Sequence, residues 1–424
     1  MNIEELYKLF LQTNSVLIDS RKIQKNDAFF GLNGEQVNGN EYAEKAIELG
    51  ALFAIVDEEK YKNEAKNIFY VEDSLQCLQD LAKYHRNQLK IPIIGLTGSN
   101  GKTTTKELIA SVLSQKFNTL YTFGNLNNHI GVPLTILSIK PFHEIAVIEM
   151  GANHQKEIEF LCEICQPDFG YITNFGKAHL EGFGGFEGVI KGKTELFTYL
   201  KNNNKTAFVN AHDELQLKHS TILNRIIFGE KNTQYCFSSS KNEENKIKIH
   251  YQDIEIQSNI TGDYNFSNLS IAITMGLYFG ITIEKIKLGI ENYIPTNHRS
   301  QIMELNGKHF VMDAYNANPS SMEAALRNFS TFKGSKTVIL GDMFELGEES
   351  DIEHQKIADL ASDLAFDEII LIGEKFYLVK NSTSKSFKNK ADFKNNFDEN
   401  KINTENILIK GSRGMALETI LDWF

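Results

Sequence analysis

Cysteine is scarce in this sequence, with four residues in 424, and so is proline, with six. So few cysteines cannot staple a chain of this length, and so little proline fits neither a collagenous nor a disordered chain. Cys77, Cys162, Cys165 and Cys236 suit a reducing compartment. Only Cys162-Glu-Ile-Cys165 has the spacing of a metal-ligand pair, and no second pair accompanies it, so it reads as two reduced thiols one helical turn apart. A basic excess is also missing: 44 Lys and Arg stand against 55 Asp and Glu, a net charge of −11. That balance excludes a protein whose main business is coating nucleic acid or an anionic membrane. It leaves room for a small anionic ligand, because phosphate is held by local amides and a few cations. No apolar run approaches the roughly twenty residues of a membrane span. The longest, Ile271 to Ile283, is interrupted by two glycines. Glu4 and Glu5 stand where a secretory signal would carry positive charge, so a cytoplasmic protein without membrane insertion is expected.

The composition that remains is that of an ordinary globular chain, 42% hydrophobic and 23% charged. The length implies two to four domains at roughly one to two hundred residues each. No internal repeat is present. The first ninety residues read as strand and helix fragments without a nucleotide loop, ending in a helical stretch from Ser74 to Leu89 that Pro92 closes. From Ile91, short apolar runs alternate with glycine or polar turns and helical periods: Ile93-Ile94-Gly95-Leu96, Ala146-Val147-Ile148, Tyr171-Ile172-Thr173 and Ala207-Phe208-Val209. This alternation predicts a parallel sheet with crossover helices. Ser238 to Lys246 is polar and reads as a surface loop or hairpin connection. A second joint is expected between Pro295 and Ser300, giving domains 1–90, 91–298 and 299–424. The last domain places buried strands at His309 to Met312, Thr337 to Leu340, Glu368 to Ile372 and Ile407 to Ile409. Their carboxyl ends carry Asp313, Gly341-Asp342, Gly373 and Lys410-Gly411, where an open α/β sheet would place a ligand. Asn381 to Asn406, rich in Lys, Asn and Asp, reads as solvated surface.

The strongest local signal runs from Ile93 to Thr105, a strand entering Thr97-Gly98-Ser99-Asn100-Gly101-Lys102-Thr103-Thr104 and then a helix expected to begin near Lys106. Glycines let backbone amides converge on phosphate, the lysine reaches the β and γ oxygens, and a threonine hydroxyl can ligate Mg²⁺. Leu96 stands where the general phosphate-loop spacing would have its first glycine. Glu149, at the end of the next strand, is either the carboxylate that reaches a metal at this loop or a strand-end carboxylate in a turn. His179, Lys191 and Lys193 follow. On composition alone a lone histidine is more often structural, and two lysines on a helix are more often solvated.

Several motifs occur in a fixed order: the phosphate loop, Asn125-Leu-Asn-Asn-His-Ile-Gly-Val-Pro133, Glu149-Met-Gly-Ala152, His179-Leu-Glu-Gly-Phe-Gly184 and Lys193. The arrangement resembles the Mur ligase family of peptidoglycan synthesis. Asp313-Ala-Tyr-Asn-Ala-Asn-Pro-Ser-Ser-Met322, Gly341-Asp-Met-Phe-Glu-Leu-Gly347 and Lys410-Gly-Ser-Arg-Gly414 resemble its D-alanyl-D-alanine-adding branch. The likeness runs from about Asp19 to Glu418. It implies an α/β protein of three domains: a small N-terminal UDP-binding domain, a central phosphate-loop domain with a parallel sheet, and a Rossmann-like C-terminal domain. It also implies an ATP-dependent ligase joining UDP-N-acetylmuramoyl-tripeptide to D-alanyl-D-alanine through an acyl phosphate, with no nucleic-acid partner and acting as a monomer.

Position by position, the resemblance implies that the loop from Thr97 to Thr104 binds ATP with Asn268, Arg299 and Asp313. Lys102, His179 and Lys193 would be catalytic. Thr103 and Glu149 would hold one Mg²⁺ and His179 and Lys193 a second, Lys193 as a carbamate, with Lys191 the alternative. Ser20, Arg21, Gly34, Asn127, Asn128 and His129 would face the UDP-sugar, with Asn125 beside them. Asn316, Asn318, Lys410 and Arg413 would face the dipeptide or the acyl phosphate. The Asp-Gly-His of the family appears here as Asn38-Gly39-Asn40, Tyr264-Asn265 replaces its His-Asn, and the proline-glycine before Arg299 is absent. The alternative is another ligase of the superfamily, adding a diamino acid to the muramoyl-dipeptide or glutamate to folate. The Asp-Asn-Pro-Arg-like motif of the diamino-acid members is not found. A nucleotide-dependent switch without ligation is the reading of a different class.

Overall fold

The computed structural model describes residues 1–229, 233–295, 301–397 and 402–424. Arg299 and the expected joint at 298 lie outside them. Strands form where the short apolar runs stand, because aliphatic stretches bounded by turns can be buried on both faces of a parallel sheet. The first sheet is parallel in the order β1-β2-β3-β4 (Val16–Leu17, Ala28–Phe30, Phe53–Val56 and Ile68–Tyr70). The central sheet comprises β5 (Ile93–Thr97), β6 (Thr119–Tyr121), β7 (Ile145–Glu149), β8 (Phe169–Ile172), β9 (Thr206–Asn210), β10 (Asn224–Gly229) and β11 (Tyr235–Cys236). Its order is β11-β10-β9-β8-β5-β7-β6, all parallel. From β5 the chain goes to the edge at β6, returns to β7, and then crosses to β8 on the other side of β5. That reversal opens a crevice at the carboxyl ends of β5, β7 and β8.

A small antiparallel sheet follows, of β12 (Ser238–Lys241), β13 (Lys246–Tyr251) and β14 (Ile254–Thr261). The segment expected as a surface loop or hairpin connection thus contains an edge strand, with only Asn242 to Asn245 as its turn. Its serines are exposed while Ile247 and Ile249 of β13 carry the burial, so the polar sequence hid the strand. The last sheet holds β15 (Gln301–Leu305), β16 (Lys308–Asp313), β17 (Lys336–Gly341), β18 (Glu368–Ile372), β19 (Ser384–Phe387) and β20 (Asn406–Lys410), in the order β15-β16-β20-β17-β18-β19. Apart from the β15–β16 hairpin it is parallel. Because β20 fills the place between β16 and β17, Asp313 and Lys410 become cross-strand neighbours.

Two further expectations need correction. Asn381 to Asn406 is not plain surface: it supplies β19 and the helix Lys390–Asn396, whose Phe393 is buried against Phe387 and Trp423. One aromatic face is enough to anchor a segment whose other residues are Lys, Asn and Asp. The phosphate-loop helix starts at Lys102 and runs to Leu113, four residues earlier than expected, because Gly101 in the left-handed conformation permits an abrupt start. The apolar stretch at Ile271 belongs mostly to the buried helix Phe266–Tyr278, which packs beside the phosphate-loop helix. Among the described residues no helix is long and apolar enough to cross a membrane. Cys162 and Cys165 lie buried one turn apart, their thiols against Met150 Sδ at 3.9 and 3.6 Å, and burial pushes Cys165 up to about 12.

The helix Ser74–Gln88 is fastened to the central sheet by a nearly buried arginine. Arg86 donates to the carbonyls of Cys165 and Gln166 at 3.0 and 2.9 Å and pairs with Asp168 at 2.9 Å. Asp168 also accepts from the Ile93 amide at the start of β5 and from Lys205. Removing one partner of such a pair leaves the other charge poorly solvated. Arg86→Ala is therefore expected to cost about 3 kcal/mol in urea unfolding; an unchanged midpoint would show that the clamp contributes nothing to stability.

Candidate active site

At the end of β5 the chain enters the loop through Gly98, whose φ is +145°. A Cβ there would lie 1.9 Å from Thr173 Oγ1 and 2.9 Å from the Thr173 amide, so only glycine lets the loop lie against the end of β8. Asn174 fixes the loop from the other side: its carbonyl accepts from the Ser99 amide and its side chain accepts from the Asn100 amide at 3.0 Å. The Asn100 carbonyl accepts from Thr173 Oγ1 and Asn174 Nδ2. Helix N-termini carry amides with no intrahelical acceptor, and this one presents Lys102, Thr103 and Thr104 to a cleft of about 670 Å³. Lys102 Nζ bends back to donate to the carbonyls of Gly98 and Ser99 at 2.7 and 3.2 Å, covering the concavity that would receive phosphate oxygens. Thr97 is buried behind the loop and does not line the cleft.

Glu149 stands at the end of β7, 1% exposed. Its Oε1 accepts from Thr103 Oγ1 at 3.3 Å and from Asn127 Nδ2 at 2.8 Å. Its Oε2 is buried, has no hydrogen-bond donor among the described residues and faces Lys106 Nζ at 3.4 Å. A buried carboxylate oxygen that makes no hydrogen bond, beside a threonine hydroxyl at a helix start, is a donor set suited to a hard divalent cation. Lys106 escaped the sequence reading. It lies one turn beyond Lys102 and Thr103 on the same helix, so a helix started at Lys102 would have placed it on the Glu149 side.

Asn268, 4% exposed, accepts from Thr105 Oγ1 at 2.9 Å and donates to Asn265 at 2.7 Å, lying against Gly101 at the mouth of the loop. From the C-terminal sheet come Asp313 and Lys410, paired at 2.5 Å with Lys410 1% exposed. Asn316 lines the cleft nearby, its side chain accepting from the Ala317 amide. Asn318 caps the helix Pro319–Ser330 and donates to Asn100 Oδ1 of the phosphate loop at 2.7 Å. Arg413 does not line the cleft; it is exposed, over the ring of Tyr315 and 3.4 Å from Glu418.

His179 lines the cleft with φ +54° and bonds through Nδ1 to Glu345 of the C-terminal sheet's loops. The histidine's contact holds the Glu345 carboxyl below its usual range. Lys193 sits just behind the wall, 1% exposed, donating to the Ala152 carbonyl at 3.2 Å. Burial, and then the charge of Lys102, push its amine well below the ordinary lysine range. Lys191 is exposed and faces a separate shallow surface depression. Among the described residues no three His, Cys, Asp or Glu side chains converge as a metal cluster.

Asn125, Asn127, Asn128 and His129 all line the cleft, and Asn128 Oδ1 accepts from the amides of Ile130 and Gly131. Ser20, Arg21 and Gly34 do not. Arg21 is exposed and forks onto Asp19, which it holds at about 2. Asn40, at the position of the family histidine, is fully buried and exchanges hydrogen bonds with Asp57, joining two turns of the first sheet. Phe160, Asn153 and Glu157 line the cleft without any sequence signal that sets them apart; Tyr264, which stands where the family has a histidine, lines it too.

Three family models match in order: Mur ligase family, catalytic domain, over residues 12–86; Mur ligase middle domain, over 96–276; and Mur ligase, glutamate ligase domain, over 298–417. The UDP-N-acetylmuramoyl-tripeptide–D-alanyl-D-alanine ligase of Bacillus subtilis (strain 168) is 33% identical over 425 residues, covering 96% of this chain and 92% of the relative. The crystal structure of MurF from Acinetobacter baumannii superposes with a TM-score of 0.87 at 29% identity, covering 99% of this chain and 98% of that one. MurF ligase from Thermotoga maritima, in complex with ADP, gives 0.85 at 25% identity and covers 98% and 97%. The α/β class and three-domain architecture expected from the sequence are those of these structures. With a full-length relative at this identity and three consecutive domain models, the chain belongs to the Mur ligase family.

Proposed function

We propose that the chain is an ATP-dependent ligase joining UDP-N-acetylmuramoyl-tripeptide to D-alanyl-D-alanine in the cytoplasm, acting as a monomer. The observation that carries this reading is that the phosphate loop, Glu149 and the Asp313–Lys410 pair share one cleft between the central and C-terminal sheets. The γ-phosphoryl group passes to the peptide carboxylate, the dipeptide amine attacks the acyl carbon, and phosphate leaves the tetrahedral intermediate. Enclosure by two domains keeps water from the acyl phosphate. The domains are taken as 1–90 for the UDP-sugar, 91–298 for ATP and 299–424 for the dipeptide.

Lys102 releases its loop carbonyls to meet the β and γ oxygens, which the helix amides and the loop from Ser99 to Thr104 surround. Asn268 stands on the adenine side and Asp313 on the ribose side, with Arg299 assigned to the phosphates. Thr103 and Glu149 would hold one Mg²⁺, which the buried Oε2, without a hydrogen-bond donor among the described residues and beside Lys106, suits; such an ion would supply charge neutralisation for the transferring phosphoryl group. His179 and Lys193 hold a second. A buried amine pushed toward its neutral form is suited to react with CO₂: the N–C bond forms as one C=O π bond opens onto oxygen, one proton leaves, and the neutral amine becomes an anionic oxygen ligand. Asn125, Asn127, Asn128 and His129 flank the sugar-peptide, with Ser20, Arg21 and Gly34 on the uridine side. Asn316, Asn318, Lys410 and Arg413 flank the acceptor, Arg413 only after leaving Glu418.

Phosphate release should require ATP, the UDP-muramoyl-tripeptide and D-alanyl-D-alanine together. Equal stimulation by a diamino acid or glutamate in place of the dipeptide would overturn the assignment, and nucleotide binding without any release would favour a switch protein. Glu149→Gln should raise the Mg²⁺ concentration needed for half-maximal rate more than about tenfold, as a Mg²⁺ titration of the rate would show. Lys193→Ala should abolish ligation, with small carboxylic acids partly restoring it; full activity in that variant would refute the carbamate.

A further inference from the structure

Glu345 belongs to the loop after β17, two residues before Gly347, yet its carboxylate bonds to His179 of the central domain. The contact is built from both sides. His179 and Glu345 are non-glycine residues with positive φ, +54° and +61°, a conformation that costs free energy unless the surroundings hold it. The backbone repeats the link, since the Glu181 amide donates to the Glu345 carbonyl at 3.3 Å. Two neighbouring contacts clasp the same segment. The Lys177 amide donates to Ser320 Oγ at 3.0 Å, and Lys177 Nζ pairs at 2.7 Å with Glu353, which is 4% exposed. The Glu345 loop is itself braced: the Met343 amide donates to the buried His354 Nε2, whose Nδ1 meets the Ser350 carbonyl.

Among the described residues the His179 ring makes this one hydrogen bond, through Nδ1. A carboxylate that receives Nδ1–H fixes the tautomer in which Nε2 keeps its lone pair, and it fixes the rotation of the ring. We propose that Glu345 is a positioning residue, which the C-terminal domain supplies to set the His179 ring for a divalent cation, so that the cation site is complete only when the two domains meet. This rests on the reading of His179 as a ligand. It assigns Glu345 no contact with substrate, and it makes cation affinity a report of domain contact.

The test uses the full-length chain with ADP and Mn²⁺, with free Mn²⁺ counted by electron paramagnetic resonance and the imidazole nitrogens followed by ¹⁵N NMR. Glu345→Ala should weaken the weaker class of Mn²⁺ binding roughly 10- to 100-fold and mix the His179 tautomers, with its unfolding midpoint as a check on the fold. Glu345→Gln, whose amide oxygen still accepts from Nδ1–H, should recover most of both effects. His179→Ala is the reference. Loss of Mn²⁺ in both the His179 and Glu345 alanine variants, with rescue by Gln, supports the proposal. Loss in His179→Ala with unchanged binding and tautomer in Glu345→Ala overturns it while leaving His179 as a ligand. Unchanged Mn²⁺ binding in His179→Ala overturns the ligand reading and the proposal with it.

Discussion

A buried carboxylate in need of positive charge organises this molecule. Glu149 ends a fully buried strand, and although Thr103 and Asn127 bond one of its oxygens, the other meets only the ammonium of Lys106. An ionised carboxylate in such surroundings is tolerable only beside a cation. The phosphate-loop helix therefore carries a threonine and a lysine on the Glu149 side, the Asn125–Pro133 segment folds back to deliver Asn127, and β5 must lie next to β7 for these to meet. The topology of the central sheet and the chemistry of its crevice are one requirement seen at two scales.

The other half of the cleft is made by a different kind of contact. Asn100 and Asn318 exchange side-chain amide hydrogen bonds between the phosphate loop and a helix cap of the C-terminal domain. Asn318 thus serves two ends: its oxygen caps the helix at the Ser321 amide, and its nitrogen reaches the loop. Neutral amide pairs of this sort carry modest net free energy. The ion pair of Lys177 with Glu353 and the hydrogen bond between His179 and Glu345 lie beside this junction and give it direction.

Much of this was legible in the sequence, and what escaped did so for identifiable reasons. Strands β5, β7, β8 and β9 of the central sheet and β16, β17, β18 and β20 of the last stand where apolar runs between turns predict them, since their burial leaves no alternation to misread, whereas β6, β10, β11 and β19 are partly exposed and gave no such run. The phosphate loop and Glu149 are visible because the chemistry leaves few residue types to choose from. The edge strand β12 and the helix Lys390–Asn396 were read as surface because edge and half-solvated elements keep a polar composition. Lys106 was missed through a helix start placed one turn late. Glu345 was invisible as a partner of His179, because 166 positions separate them and only the tertiary fold brings them together. For Asn40, which stands where the family has a histidine, the structure supplies a buried knot with Asp57.

The ion pair between Asp313 and Lys410 has a thermodynamic corollary. In the proposed reading the carboxylate meets a ribose and the ammonium meets the acceptor or an acyl phosphate, yet the two groups now neutralise each other across adjacent strands. Any ligand that draws one of them away changes the free energy at which the other is offered. By linkage, nucleotide and acceptor must then alter each other's affinity by the same factor, in whichever order they arrive. Two reactants that never touch before the reaction are thereby made cooperative, with either sign allowed, by a single pair of side chains.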